Sequence, residues 1–300
     1  MSLEAIKLLV EQTLPQAVVG MNFRNRNLVE ALNPRAEINM ARDKIGTKDR
    51  LMSSGVMVAA NIAIIERAEQ ISKVYQQLCD YGKPFVVKPS RSAQGRGILL
   101  CSKATPEAVV KVSGELLSVE ELLFHFYQIL HGEFSFGRPD DTILIEALLE
   151  TDSDWILPDL PGAPDLRIIL CHDEFLLAMA RLPTSQSDGK ANLHCGAVGV
   201  GVDIATGITQ GGVLKDKPIA CHPDTGAHLS GRSVADFDIC LELAKKCNRA
   251  FGLGFIGVDL MRDKNLGPVV LEVNARPGLG LQIANRKGLF SNINKKDLVK

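Results

Sequence analysis

Asp259, Glu272 and Asn274 have the side-chain types and the spacing of a hard-cation site. Glu272 and Asn274 are two residues apart, so on a strand both point to one face. Asp259 lies in the preceding apolar run, Gly257-Val258-Asp259-Leu260, and joins them if the two runs pair as a hairpin. Two carboxylates and an amide oxygen suit Mg²⁺ or Mn²⁺ and leave coordination positions open for phosphate oxygens. The competing reading is three polar residues on the exposed face of a hairpin. Val258, Leu260, Val269, Leu271 and Val273 weigh against it, because acids inside core-like strands need a partner or a metal.

A second group of residues suits phosphate. Lys88 closes the run Phe85-Val86-Val87 and opens the loop Pro89–Gly97, which carries Ser90, Ser92, Gly95, Arg96 and Gly97. Small residues let backbone N–H groups approach phosphate oxygens, and Lys88 and Arg96 add positive charge. G-x-x-x-x-G-K-[ST] is absent, and the loop is followed by another apolar run that reads as a strand. It is therefore neither a P-loop nor a dinucleotide fingerprint. Taken alone, such a loop is more often a structural turn.

Composition removes several function classes. The 300 residues carry 34 Lys+Arg and 35 Asp+Glu, a net charge of −1, so there is no basic excess of the kind a general nucleic-acid or membrane binder shows. The charge is nevertheless segregated. Residues 82–106 hold five basic side chains and no acidic one, and residues 132–174 hold eleven acidic and two basic. Seven cysteines without paired spacing read as reduced thiols. No apolar run reaches the roughly 18 residues of a membrane span, and Met1-Ser2-Leu3-Glu4 lacks a signal-peptide pattern. A cytoplasmic protein is expected. Cys171-His172, His194-Cys195 and Cys221-His222 are too irregularly spaced for a zinc site. Trp155, the only tryptophan, is expected in surface packing.

The elements that must position these groups are legible in outline. Helices are expected over 2–14, near 24–32, and over 43–54, 66–81, 119–130 and 234–251. Apolar spacing near 3.6 marks 66–81, and Gly82 sits at its end. Strands are expected at 61–65, 85–88, 97–101 and 142–149, with hairpins 166–170/175–181 and 254–262/269–274. The fold class is α+β with mostly antiparallel sheets.

The ordered set Val87-Lys88-Pro89, Gln94-Gly-Arg-Gly97, Asp165-Leu-Arg167, Asn192-Leu-His194, Gly257-Val-Asp259 and Glu272-Val-Asn274-Ala-Arg-Pro-Gly278 resembles the ATP-grasp superfamily. Within it the likeness is to the RimK-type and RimK-related alpha-L-glutamate ligase-like proteins. Gly20-Met-Asn-Phe-Arg-Asn25, Asn33-Pro-Arg35, Asp43-Lys44 and Thr47-Lys48 are similar to that group's N-terminal pattern, and the likeness runs over residues 18–290.

The resemblance implies two α+β lobes gripping ATP: a short helical extension over 1–43, a phosphate-gripping lobe over 44–140, and a lobe with adenine hinge and metal site over 141–300. It implies that Lys44 and Lys88 touch phosphate and that Ser90, Gly95, Arg96 and Gly97 close over the triphosphate. Glu146 would accept from the adenine amino group, with the backbone near Leu148 reading the ring edge. Asp259, Glu272 and Asn274 would hold Mg²⁺ or Mn²⁺. Arg167, Asn192 and Arg276 would face the reacting phosphoryl group, with Arg181 a weaker candidate.

The implied reaction is ATP-dependent amide formation from a carboxylate and an amine, the latter an amino acid such as glutamate or a peptide or protein acceptor. No nucleic acid or membrane partner is implied, and a homo-oligomer is compatible. The alternatives are an ATP-grasp phosphotransferase and a non-catalytic nucleotide-binding module. Only 43 residues precede Lys44, where many such ligases carry a full α/β domain that helps form the acceptor site; this leaves the substrate open.

Overall fold

The computed structural model describes residues 17–92, 95–135, 139–152 and 155–293, so the helix expected over 2–14 lies outside the described residues. The chain divides into a smaller unit, residues 42–49 and 58–149, and a larger one formed by the remainder.

The smaller unit is a six-stranded sheet: β1 (Asn61–Ile65), β2 (Phe85–Pro89), β3 (Leu99–Ala104), β4 (Ala108–Lys111), β5 (Leu116–Ser118) and β6 (Ile143–Ala147). The strand order is β1-β6-β2-β3-β4-β5, and every pairing is antiparallel. Alternation sends Phe85, Val87, Ile143 and Ile145 to one face, where they meet the helices Ile71–Tyr81 and Val119–Leu130. Those helices contribute Ile71, Val74 and Leu78, and Leu122, Phe126 and Ile129, spaced three or four apart. Ser118 and Glu121 cap the second helix reciprocally, and Gly82, at φ 60°, ends the first in the left-handed conformation that glycine tolerates.

The expected lobe boundary at residue 141 is corrected here. β6 is inserted between β1 and β2, because Ile143 and Ile145 complete the same apolar face as Phe85 and Val87. The strand expected to hold the adenine hinge therefore belongs to the sheet that carries the expected phosphate loop.

The larger unit holds β7 (Asp165–Cys171), β8 (Glu174–Leu182), β9 (Val198–Val202), β10 (Thr209–Leu214), β11 (Lys217–Ile219), β12 (Phe255–Asp263) and β13 (Gly267–Asn274). Their order is β11-β10-β9-β8-β7-β12-β13. The helix Phe237–Phe251 packs on β7, β12 and β13 and buries Cys240, Leu243, Ala244, Cys247 and Phe251. The short helix Leu281–Asn285 packs on β8, β9 and β10. Gly201 permits this, since a Cβ there would lie 2.8 Å from the Ala284 carbonyl oxygen.

Residues 17–41 are part of this unit, which corrects the separate extension expected over 1–43. Asn33 Nδ2 donates to the carbonyls of Phe255 (2.8 Å) and Ala275 (3.1 Å), and Gln282 exchanges two hydrogen bonds with the Val19 backbone. The helix expected near 24–32 contains a π-helical stretch, Arg24–Val29, between two short α-helical turns. Trp155 is also corrected: it is 1% exposed, with Nε1 donating to the Ala235 carbonyl at 3.0 Å. Among the described residues no helix is long and apolar enough to cross a membrane.

Cys101, Cys171, Cys240 and Cys247 are buried, and burial pushes each thiol up to about 12. Iodoacetamide at pH 7.5 should therefore alkylate the exposed Cys195 well before any of these four. Peptide mass spectrometry reads the order, and early labelling of Cys101 or Cys240 would contradict the packing.

Candidate functional site

In the smaller unit, Lys88 and Glu146 lie on the sheet face away from the two helices. Val86 pairs with Glu146 across β2 and β6, and Asn61 pairs with Glu146 across β1 and β6. The helix Lys44–Ser53 sends Lys48 onto the same face. Lys48 Nζ donates to Glu146 Oε1 and to Asn61 Oδ1 (2.5 Å), and Lys88 Nζ pairs with Glu146 Oε2. Glu146 is 4% exposed and Lys48 6%, so this is a buried cluster. Burial would raise the Glu146 carboxyl, but Lys88 and Lys48 outweigh it and hold the group below the usual range. Burial lowers the Lys48 ammonium, with Glu146 opposing. Two ammonium groups on one carboxylate leave a net positive charge, which suits a polyanion.

Both Glu146 oxygens face lysines. Leu148 N–H donates to the Pro84 carbonyl at 3.1 Å and is not free for a ring edge. The Lys44 ammonium donates to the carbonyls of Ser92 (2.7 Å), Pro89 (3.1 Å) and Ser90 (3.3 Å), fastening the first root of the expected phosphate loop. Asp43 accepts from the Ser90 hydroxyl at 3.0 Å, and Asp141 takes the Arg91 N–H and the Ser135 hydroxyl. Arg96 and Gly95 are exposed, and Gly95 and Gly97 have φ of 73° and 72°. Lys48 was absent from the expected site. Its signal was its place four residues after Lys44, on the same helical face.

In the larger unit, strand register places the polar groups in rows on one sheet face. Asp259 lies opposite Glu272 on one side and Arg167 on the other, and Arg167 lies opposite Met179. Asn274 lies opposite Gly257, and Asp165 opposite Arg181. Arg167 binds Asp259 through two hydrogen bonds, Nε to Oδ1 at 2.7 Å and Nη2 to Oδ2 at 2.5 Å. Arg181 Nη2 adds a bond to Asp259 Oδ2 at 2.8 Å, and Arg181 Nε and Nη2 donate to Asp165 Oδ1 and Oδ2 at 2.5 Å each. Two guanidiniums and two carboxylates balance in charge.

Burial would raise Asp259, but Arg167 and Arg181 overcome it and hold the carboxyl below its usual range. Burial raises Asp165, with Arg181 opposing and the neighbouring Asp259 adding to the rise. Arg181 and Asp165 therefore share the site with the expected Asp259 and Arg167.

At Glu272 the strand carries an extra residue. Asp259 pairs with Glu272 and Leu260 with Val270, which leaves Leu271 bulged out. Bulges re-aim side chains and recur beside active sites. Leu271, expected in the core, is exposed, and so is Glu272. Asn274 Oδ1 accepts the Arg276 N–H at 3.1 Å, and the turn beyond folds Pro277 over Gly257, where a Cβ would come within 2.6 Å. Arg24, buried, donates to the Pro277 carbonyl at 3.0 Å and braces that turn, while the Arg276 side chain is exposed. Asn192 caps the turn Leu193–Cys195, accepting the His194 N–H at 3.0 Å.

The donor chemistry fits a divalent hard cation. Glu272 makes no ion pair among the described residues, and Asp259 Oδ1 receives a single hydrogen bond, leaving it acceptor capacity. No three acidic, His or Cys groups converge among the described residues, so a cation held here would take its third donor from the Asn274 amide oxygen.

Residues 23–297 match the model of the sugar-transfer associated ATP-grasp family, and the chain belongs to that family. It is similar to the "Probable alpha-L-glutamate ligase" of Xanthomonas oryzae pv. oryzae, 27% identical over 247 residues, which cover 82% of this chain and 61% of that protein. The protein of the same name from Stenotrophomonas maltophilia is 26% identical over 254 residues, 84% of this chain and 63% of that one. The chain thus spans about three fifths of the length of the curated relatives it matches. The solved structure of D-cycloserine synthetase superposes with a TM-score of 0.48 at 15% identity, covering 89% of this chain and 73% of that one. The ATP-grasp membership and α+β architecture expected from the motif order hold.

Proposed function

We propose that this chain is an ATP-dependent carboxylate–amine ligase that forms an amide through an acyl phosphate. The observation that carries this most is the register placing Asp259 opposite both Glu272 and Arg167, with Asn274 on the same face. That arrangement sets cation donors beside a guanidinium in a family defined by ATP-grasp architecture.

In the proposed reaction a substrate carboxylate oxygen attacks the γ-phosphorus of ATP, and ADP leaves. An amine then attacks the acyl carbon, phosphate departs, and the amine's proton is lost. Lys88 and Lys48 would carry the triphosphate's charge, the Ser90–Gly97 loop would exclude water, and Arg167 and Arg276 would hold planar oxyanions. Asp259, Glu272 and Asn274 would hold Mg²⁺ or Mn²⁺, which when bound neutralises charge on the phosphates. No protein nucleophile is required.

The relatives' names make glutamate the first amine to test, and the family's description as sugar-transfer associated is the reason to add sugar acids and amino sugars to the screen. A cytoplasmic location and a peptide or protein acceptor belong to the same proposal.

ADP release measured with pooled acids and amines tests this reading. Release that requires both an acid and an amine supports the ligase. A phosphorylated product that persists without amine supports a phosphotransferase, and nucleotide binding without turnover supports a regulatory module. Lys88→Ala should weaken Mg-ATP binding at least tenfold, about 1.4 kcal/mol, by calorimetry. An unchanged dissociation constant would remove Lys88 from the nucleotide site.

A further inference from the structure

The loop between β2 and β3 is held at its two roots by different devices. Lys44 fastens the first through the carbonyls of Pro89, Ser90 and Ser92. At the second, His125 on the helix Val119–Leu130 brings Nε2 to 3.0 Å from the Gly97 carbonyl oxygen. A carbonyl only accepts, so the ring presents its N–H at Nε2. The imidazole packs against Phe134 with ring centroids 5.3 Å apart. Phe134 fills the space above Gly97, where a Cβ would come within 2.6 Å of its ring and 2.7 Å of Pro89. Burial lowers the His125 pKa, so the ring is neutral at pH 7 and keeps one fixed donor. On its helix, Leu122 and Ile129 beside it are apolar core, and Gln128 offers it a side-chain hydrogen bond. A polar ring among them, aimed at a loop carbonyl, serves the loop rather than the core.

We propose, resting on the nucleotide role given to this loop above, that His125 is a positioning residue. Through Gly97 it holds the backbone of Gly95, Arg96 and Gly97 where their N–H groups would meet the triphosphate. Its link to the proposed site runs through Gly97, so its contribution is to phosphate affinity.

Calorimetry on the full chain with Mg²⁺ separates this from a merely structural role, using adenosine and the non-hydrolysable analogue AMP-PNP as probes. His125→Leu should weaken AMP-PNP about fivefold, the scale of one lost hydrogen bond, and leave adenosine unchanged. His125→Gln, whose amide N–H reaches the Nε2 position, should keep wild-type affinity for both. If His125→Leu does not fold, His125→Asn replaces it: Asn cannot reach Gly97 and should show the AMP-PNP loss that Gln escapes. Wild-type AMP-PNP affinity in the Leu or Asn variant would overturn the proposal, and so would equal weakening of adenosine. A wild-type chain that binds adenosine or AMP-PNP while the variants show no difference leaves the nucleotide reading intact and removes only His125. A wild-type chain that binds neither overturns both.

Discussion

Glu272→Gln is expected to lower ADP formation by about a thousandfold, roughly 4 kcal/mol of transition-state stabilisation, while leaving the protein folded. Glu272 is exposed and makes no ion pair among the described residues, so its loss should cost less than about 0.5 kcal/mol of stability. Its chemical worth is different. It is the one carboxylate of the donor set that no arginine engages, and the bulge at Leu271 turns it toward solvent. Glutamine keeps the shape and one oxygen but removes the charge that holds a divalent cation. Steady-state ADP release and a thermal melt on the same preparation decide the matter. Turnover near wild type would remove Glu272 from the metal site.

Asp259→Ala should behave in the opposite way, losing about 3–5 kcal/mol of stability. Asp259 is 3% exposed and takes hydrogen bonds from both Arg167 and Arg181. Removing it leaves two guanidiniums against the single carboxylate of Asp165 in a buried site, and an uncompensated buried charge is expensive. Urea unfolding should show the midpoint falling with little change in slope. A midpoint close to wild type would mean that the Arg167–Asp259–Arg181–Asp165 quartet does not hold the sheet together. The two substitutions thus separate the roles proposed for neighbouring acids: Glu272 would serve the chemistry, and Asp259 the chemistry and the fold together.

The hairpin that carries these acids was legible because its signals are local. Gly257-Val-Asp259 and Glu272-Val-Asn274 alternate on adjacent strands, and the turn between them is short and polar. The helices Ile71–Tyr81 and Val119–Leu130 were legible through their 3.6-residue spacing. The quartet was only partly visible. Arg167 and Asp259 were candidates and Arg181 a weaker one, but Asp165 joins them only through the pairing of β7 with β8, and Arg167 meets Asp259 through the pairing of β7 with β12, which spans nearly a hundred residues.

Lys48 was missed because its partner Glu146 comes from β6, a strand inserted between β1 and β2 where chain order gives no hint of it. β9 and β10 escaped because the glycines of Val198-Gly-Val-Gly-Val202 and Thr209-Gln-Gly-Gly212 weaken the strand signal. The glycines of β9 answer to close approach instead: Gly199 to Met179, and Gly201 to the helix Leu281–Asn285. Trp155 sits in a polar stretch, yet it is buried, and its Nε1 donates to the carbonyl of Ala235, eighty residues away.

The central claim is amide formation driven by cleavage of ATP to ADP and phosphate. Mass spectrometry of the products after incubation with Mg-ATP, an amino-acid mixture and a panel of sugar acids and amino sugars tests it most directly. A new species with the mass of one acid plus one amine less water, formed in equal amount with ADP and phosphate and lost in Glu272→Gln, is the predicted result. Release of AMP and pyrophosphate, or a stable phosphorylated product with no condensed species, would contradict it.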